Sequence, residues 1–214
     1  MKSTPGVSIQ AVRLALLFLA LLIAAGCVPK YKGPLLLYPG QTDSKGYSID
    51  DNSLIFDNDD VKITVTQVTS ADESKSFLVD DLIDLKYLLI RVEIENRTRY
   101  KILFNPALAS LRDSKAGYKK PLDYTDFYQK SATEKGFPED ISDMSKIFYD
   151  LTAEIPSGKK RSKILVFDQI EEGADEAELV IKNLYLGRNS MDLTFPFILK
   201  PREPKKDKEE EPIE

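Results

Sequence analysis

Five stretches of this chain alternate apolar and polar residues with a period of two, and no other feature limits its fold as much. Val61, Ile63 and Val65 alternate with Lys62, Thr64 and Thr66, and Ile90, Val92 and Ile94 alternate with Arg91, Glu93 and Glu95. Leu151, Ala153 and Ile155 repeat the pattern, as do Ala177, Leu179 and Ile181, then Leu193, Phe195 and Phe197. Successive side chains of a strand point to opposite faces, so each stretch offers one face to a core and one to water. One-sided burial belongs to antiparallel sheets, because parallel sheets are covered on both faces and read as continuous apolar runs. Turn-forming runs separate the strands: Asp57-Asn58-Asp59-Asp60, Asp113 to Gly117, and Pro156-Ser157-Gly158-Lys159. About seven to nine strands over residues 53–199 predict an all-β, antiparallel two-sheet sandwich. Pro196 inside the last strand predicts an edge position or a bulge.

One segment breaks the alternation. Asp123 is placed to N-cap a helix with Tyr124, Phe127 and Tyr128 at i, i+3 and i+4, ending near Gly136 with Pro138 beyond. Met144, Ile147 and Phe148 have similar spacing, so residues 123–148 read as a partly helical insertion between strands. The segment is dense in rings: Tyr124, Phe127, Tyr128, Phe137, Phe148 and Tyr149 form the candidate binding surface. Aromatic side chains anchor interfaces at low entropic cost. The competing reading packs these rings over the open end of the sandwich as a structural cap.

The two ends of the chain read differently. Residues 1–13 carry Lys2 and Arg13 and no acid, and Leu14 to Ala25 is an uninterrupted apolar run. As a helix that run spans about 18 Å, short of a ~30 Å hydrocarbon core. Ala24-Ala25-Gly26 then lead into Cys27, the only cysteine. Residues 1–26 are expected to be a signal peptide, and the stretch resembles the lipobox of bacterial lipoproteins. That resemblance implies cleavage before Cys27 and acylation of its sulfur. The expected partner of this residue is membrane lipid, since two acyl chains suffice for stable anchoring. Val28 after the cysteine, in place of Asp, favours the outer membrane where the organism has one. Residues 27–52, broken by Pro29, Pro34, Pro39, Gly33, Gly40 and Gly46, read as the lipidated cysteine and a flexible tether, with Leu35-Leu36-Leu37-Tyr38 as the exception, apolar enough to pack on the domain or dip into lipid headgroups. Residues 200–214, with Lys and Glu runs and three prolines at 201, 204 and 212, read as a disordered charged tail.

The strand and turn residues also resemble a family. Leu89 to Asn96, a short polar turn, Phe104-Asn105-Pro106, Leu111-Arg112-Asp113 with Gly117-Tyr118, and Ile155-Pro156-Ser157-Gly158 leading to Ile164-Leu165-Val166-Phe167 follow one pattern. They are similar to the immunoglobulin-like, telokin-like domains of uncharacterised function found in bacterial lipoproteins and secreted proteins. The resemblance implies an immunoglobulin-like sandwich over about 61–199, and its motifs are structural rather than chemical.

Composition narrows the chemistry. There is no His, so imidazole-based triads and His-ligated metals are excluded, and one Cys leaves no disulfide, redox pair or thiolate zinc site. Removing Lys2 and Arg13 with the leader takes the net charge from −5 to −7, which disfavours nucleic acid. Asp57, Asp59 and Asp60 lack EF-hand spacing and read as solvated turn acids. Ser157 and Lys160 match Ser-x-x-Lys but lie in a turn without companion motifs. The basic run Lys159 to Lys163 reads as protection of a strand edge. We therefore expect a bacterial cell-envelope lipoprotein presenting a non-enzymatic binding or adaptor domain, with no cofactor, no metal and no catalytic residue. Its expected partner is an envelope protein or glycan. The alternatives are a structural or accessory subunit of an envelope complex and, more remotely, an enzyme using carboxylates or the Ser–Lys pair.

Overall fold

The computed structural model describes residues 35–42, 44–70, 77–115, 117–138, 141–171 and 173–201. The expected signal peptide, Cys27 and the tail beyond Pro201 lie outside them. In chain order the strands begin with β1 (Leu35–Pro39), β2 (Tyr47–Asp50), β3 (Ser53–Asp57) and β4 (Val61–Gln67). Helix α1 (Phe77–Asp84) precedes β5 (Leu88–Asn96), β6 (Ile102–Phe104), β7 (Ala109–Asp113) and β8 (Tyr118–Lys119). Helices α2 (Tyr124–Thr133) and α3 (Met144–Ile147) follow, then β9 (Ala153–Ile155), β10 (Lys160–Phe167), β11 (Glu176–Leu186) and β12 (Asn189–Pro201).

The strands form two antiparallel sheets, the all-β sandwich that the alternation predicts. One sheet runs β10-β5-β4-β3-β2. The other runs β1-β12-β11, beyond which β7 pairs the first half of β11 and β6 the second; β8 and β9 extend β7 and β6. The core between the sheets takes the apolar phase of each alternation: Val61, Ile63, Val65, Ile90, Val92, Ile94, Leu179, Ile181, Phe195 and Phe197 are all buried there. Full burial of one such side chain contributes about 1.5–3 kcal/mol. Asn96 and Ser110 are the buried polar residues among those described, and the Asn96 side chain is fully bonded. Its side-chain N–H groups donate to Tyr100 O (2.7 Å) and Ile155 O (2.9 Å), while its oxygen accepts from Thr98 N and Oγ1. It therefore ties the end of β5 to β9 in the opposite sheet.

Three expectations are corrected. The tether predicted for residues 27–52 holds two strands, β1 and β2. Leu37 is buried in the inter-sheet core and Leu35–Pro39 pairs along β12. Of the breakers that suggested a coil, Pro39 closes β1 and Gly46 takes a positive φ in the turn before β2, while Pro29, Gly33 and Pro34 lie outside the described residues. Gly40 donates its N–H to Pro196 O at 2.8 Å, and a Cβ there would lie 2.9 Å from that oxygen. Only glycine permits this approach. Second, Pro196 is in neither an edge strand nor a bulge, since β12 lies between β1 and β11. Its carbonyl meets Gly40, so its ring nitrogen faces the side where β1 has ended. Third, β12 reaches Pro201, so the segment expected to be tail from residue 200 begins inside a strand. A smaller difference concerns Leu151, which is 72 % exposed, with the strand starting only at Ala153.

Candidate binding surface

The insertion is partly helical, as its spacing predicts. Asp123 accepts hydrogen bonds from the backbone N–H groups of Thr125 and Asp126, and the Asp126 carboxylate accepts from Asp123 N, a reciprocal capping box. Partial burial pushes the Asp126 carboxyl up, but the Asp123 N–H and the Lys120 ammonium at 2.9 Å outweigh it and hold the carboxylate below the usual range.

The helices do not close the end of the sandwich. They cover the outer face of the five-stranded sheet. Leu89 from β5 and Ile164 and Val166 from β10 point away from the inter-sheet core and join Val79, Leu82, Phe127, Phe137, Met144 and Phe148 in a second core. Phe127 stacks on Phe148 (5.4 Å, 24°) and meets Phe137 edge-on (5.8 Å, 67°). Such pairs add about 0.5–1.5 kcal/mol beyond their buried area. Tyr149 turns the other way into the inter-sheet core, against Phe104 at 4.8 Å, and its hydroxyl donates to Arg161 O. Burial pushes that hydroxyl's pKa up.

Four of the six candidate surface residues are thus corrected. Phe127, Phe137, Phe148 and Tyr149 are at most 4 % exposed and present no surface. Tyr124 and Tyr128 remain, 53 % and 64 % exposed, one turn apart on α2. Phe127 takes the inward position because it has no polar atom to satisfy, whereas each tyrosine keeps its hydroxyl in water. Tyr118 and Tyr100 are also exposed, at 67 % and 61 %, and no spacing rule distinguishes them in the sequence.

The insertion also seals an edge. β10 is the outer strand of its sheet, and its free side receives Tyr149 N–H on Ile164 O (2.9 Å) and Leu122 N–H on Val166 O (2.8 Å). Farther along, Arg161 and Lys163 stand opposite Ile94 and Val92, and charge at these positions discourages edge pairing. The Lys163 ammonium reaches the Ser145 carbonyl.

A polar cluster fastens α2 to the strand ends. Tyr87 donates to Glu134 Oε2 (2.7 Å), and Lys130 lies 3.4 Å from that oxygen and 3.1 Å from Asp168. Partial burial pushes the Tyr87 hydroxyl up to about 12. For Lys130, burial opposes the charge, but Tyr87 and Asp168 outweigh it and hold the ammonium charged. The other chemical candidates also have structural partners. Ser157 donates to Thr98 O (2.6 Å) while Lys160 pairs with Glu93 (2.9 Å). Asp57 pairs with Arg97 (2.7 Å), and Asn58 closes the turn by accepting from Asp60 N and Val61 N. Among the described residues no three His, Cys, Asp or Glu side chains could share a metal ion, and no helix is long and apolar enough to cross a membrane.

No protein-family model matches the chain, and no curated protein matches it. Two solved structures are similar in part. The yjhA protein from Bacillus subtilis shares 18% identity over 65% of this chain and 93% of its own, with a TM-score of 0.39. A functionally unknown protein from Listeria monocytogenes EGD-e shares 12% identity over 79% of this chain and 90% of its own, with a TM-score of 0.40.

Proposed function

We propose that the chain is a lipid-anchored lipoprotein of the bacterial cell envelope, outer-membrane where the organism has one, whose immunoglobulin-like sandwich is a non-enzymatic binding or adaptor module. The observation that carries this reading is Cys27, the only cysteine, directly after a basic, then apolar, then small-residue leader. The position of β1 fits it. Only residues 28–34 separate Cys27 from the first strand, so an acyl anchor holds the domain close to the bilayer. The groups with the most shifted titration have structural partners: Tyr87 and Lys130 fasten α2 to the strand ends, and Tyr149 packs inside the inter-sheet core. A rigid scaffold that presents loops is the usual setting for recognition.

The test is fractionation of the Cys27→Ser variant. The reading expects an unprocessed precursor, or a released protein lacking the mass of the acyl chains. Membrane retention with unchanged processing and mass would contradict it.

A further inference from the structure

The two ends of the sandwich differ in a way that bears on how it meets a bilayer. β12 has 13 residues and spans about 40 Å at ~3.3 Å per residue. Leu35 pairs with Pro201 at one end of it, and the Gly187-Arg188 turn closes β11 on β12 at the other. The chain therefore joins the domain at the Leu35 end. The helical layer is fastened at this same end. Leu37 N–H donates to Gln67 Oε1 (2.6 Å), Gln67 pairs with Ile90, and Leu88 pairs with Phe167. Lys130 of α2 meets Asp168 just beyond that last pair.

Exposed apolar surface follows the same division. Tyr118 and Ile198 lie in the half with Leu35, and so does α2 with Tyr124 and Tyr128, since it starts beside Leu122 on Val166 and reaches Asp168; Ile49 and Leu151 lie between, and Tyr100 and Tyr185 lie toward Gly187. Chain length then decides the orientation. The seven residues 28–34 span at most about 25 Å when fully extended. A domain standing on its Gly187 end would raise Leu35 about 40 Å above the bilayer, beyond the reach of Cys27.

We propose that the domain stands with its Leu35 end on the membrane, with Tyr124 and Tyr128 of α2 against the lipid headgroups and the Gly187 end turned outward. This rests on the lipid-anchor reading. Tyrosine suits the position, because its ring is apolar and its hydroxyl stays wet at a membrane–water interface. The same end exposes lysines (Lys86, Lys135) and more acids (Asp81, Asp84, Asp168, Asp175, Glu176), which fits a zwitterionic headgroup layer and opposes a strongly anionic one.

The chain has no tryptophan, so one introduced indole is a clean reporter. The lipidated full-length protein is reconstituted into phosphatidylcholine vesicles brominated high on the acyl chains, carrying Tyr128→Trp or, separately, Tyr100→Trp. The proposal expects the Tyr128→Trp protein to lose most of its emission and shift to the blue, with the emission of the Tyr100→Trp protein unchanged. Tyr124→Trp replaces the first variant if that one melts below wild type. Quenching in the Tyr100→Trp protein, or flotation with the vesicles while the α2 reporter stays unquenched, overturns the orientation alone. Failure to float overturns the anchor and the orientation together.

Discussion

The two hydrophobic cores obey different rules. The inter-sheet core is built from strands, each giving every second residue, and it is read directly from period two. The helical core on the outer face of the five-stranded sheet recruits the residues between. Leu89 lies between Leu88 and Ile90, and Ile164 and Val166 flank Leu165. At that end β5 and β10 are buried on both faces, and the alternation collapses into continuous apolar runs. A break in alternation inside an antiparallel sheet therefore marks where a second layer sits.

Four predictions test this contrast, from the largest expected effect to the smallest. Val92→Asp puts an unpaired charge into the inter-sheet core, and denaturant titration should show loss of several kcal/mol or of the folded baseline. A variant that unfolds like wild type would mean the phase of β5 is misassigned. Phe127→Ala removes the centre of the helical core and should cost about 3–5 kcal/mol, whereas the adjacent Tyr128→Ala should stay within about ±0.5 kcal/mol. Equal costs would erase the distinction between packed and exposed rings. Gly40→Ala crowds the Pro196 carbonyl and should cost about 1–3 kcal/mol. An unperturbed melt would show that β1 is dispensable to the first core.

The smallest effect concerns pH. The Tyr87 hydroxyl is raised in the folded state from 10.0 to about 12. Between those values the unfolded chain has lost a proton that the folded chain keeps, so stability falls as pH rises. Tyr87→Phe should lower stability by about 1 kcal/mol at neutral pH through the lost bond to Glu134. It should also flatten the decline in melting temperature between pH 10 and 12. An unchanged alkaline slope would remove Tyr87 from the attachment of α2.

Legibility in the sequence follows the same division. The alternating strands, their turns and the Asp123 cap are readable because each depends on near neighbours in the chain. β1 is not. Leu35-Leu36-Leu37 has no alternation, and its role depends on β12, more than 150 residues away in sequence. α1 is also hidden, since Leu78, Val79 and Leu82 take their meaning from Leu89 on the strand they cover. The six-residue candidate surface fails in four members because aromatic density does not distinguish a ring that packs from one that faces water. Absence of a hydroxyl is the signal for Phe127, Phe137 and Phe148. Tyr149 breaks even that rule, because the Arg161 carbonyl satisfies it inside.

The central structural claim is that the insertion packs as a layer on the five-stranded sheet, rather than lying as a loop over the sandwich, and that its flanking residues, Leu122 and Tyr149, seal β10. Native-state hydrogen exchange at the amides of Leu122 and Tyr149 tests it most directly. These groups donate to Val166 and Ile164 across the free edge of β10, at 2.8 and 2.9 Å. If the layer is part of the cooperative fold, both amides exchange nearly as slowly as Val92 in the centre of β5. Exchange at the rate of an unprotected chain, with Val92 still protected, would contradict the account.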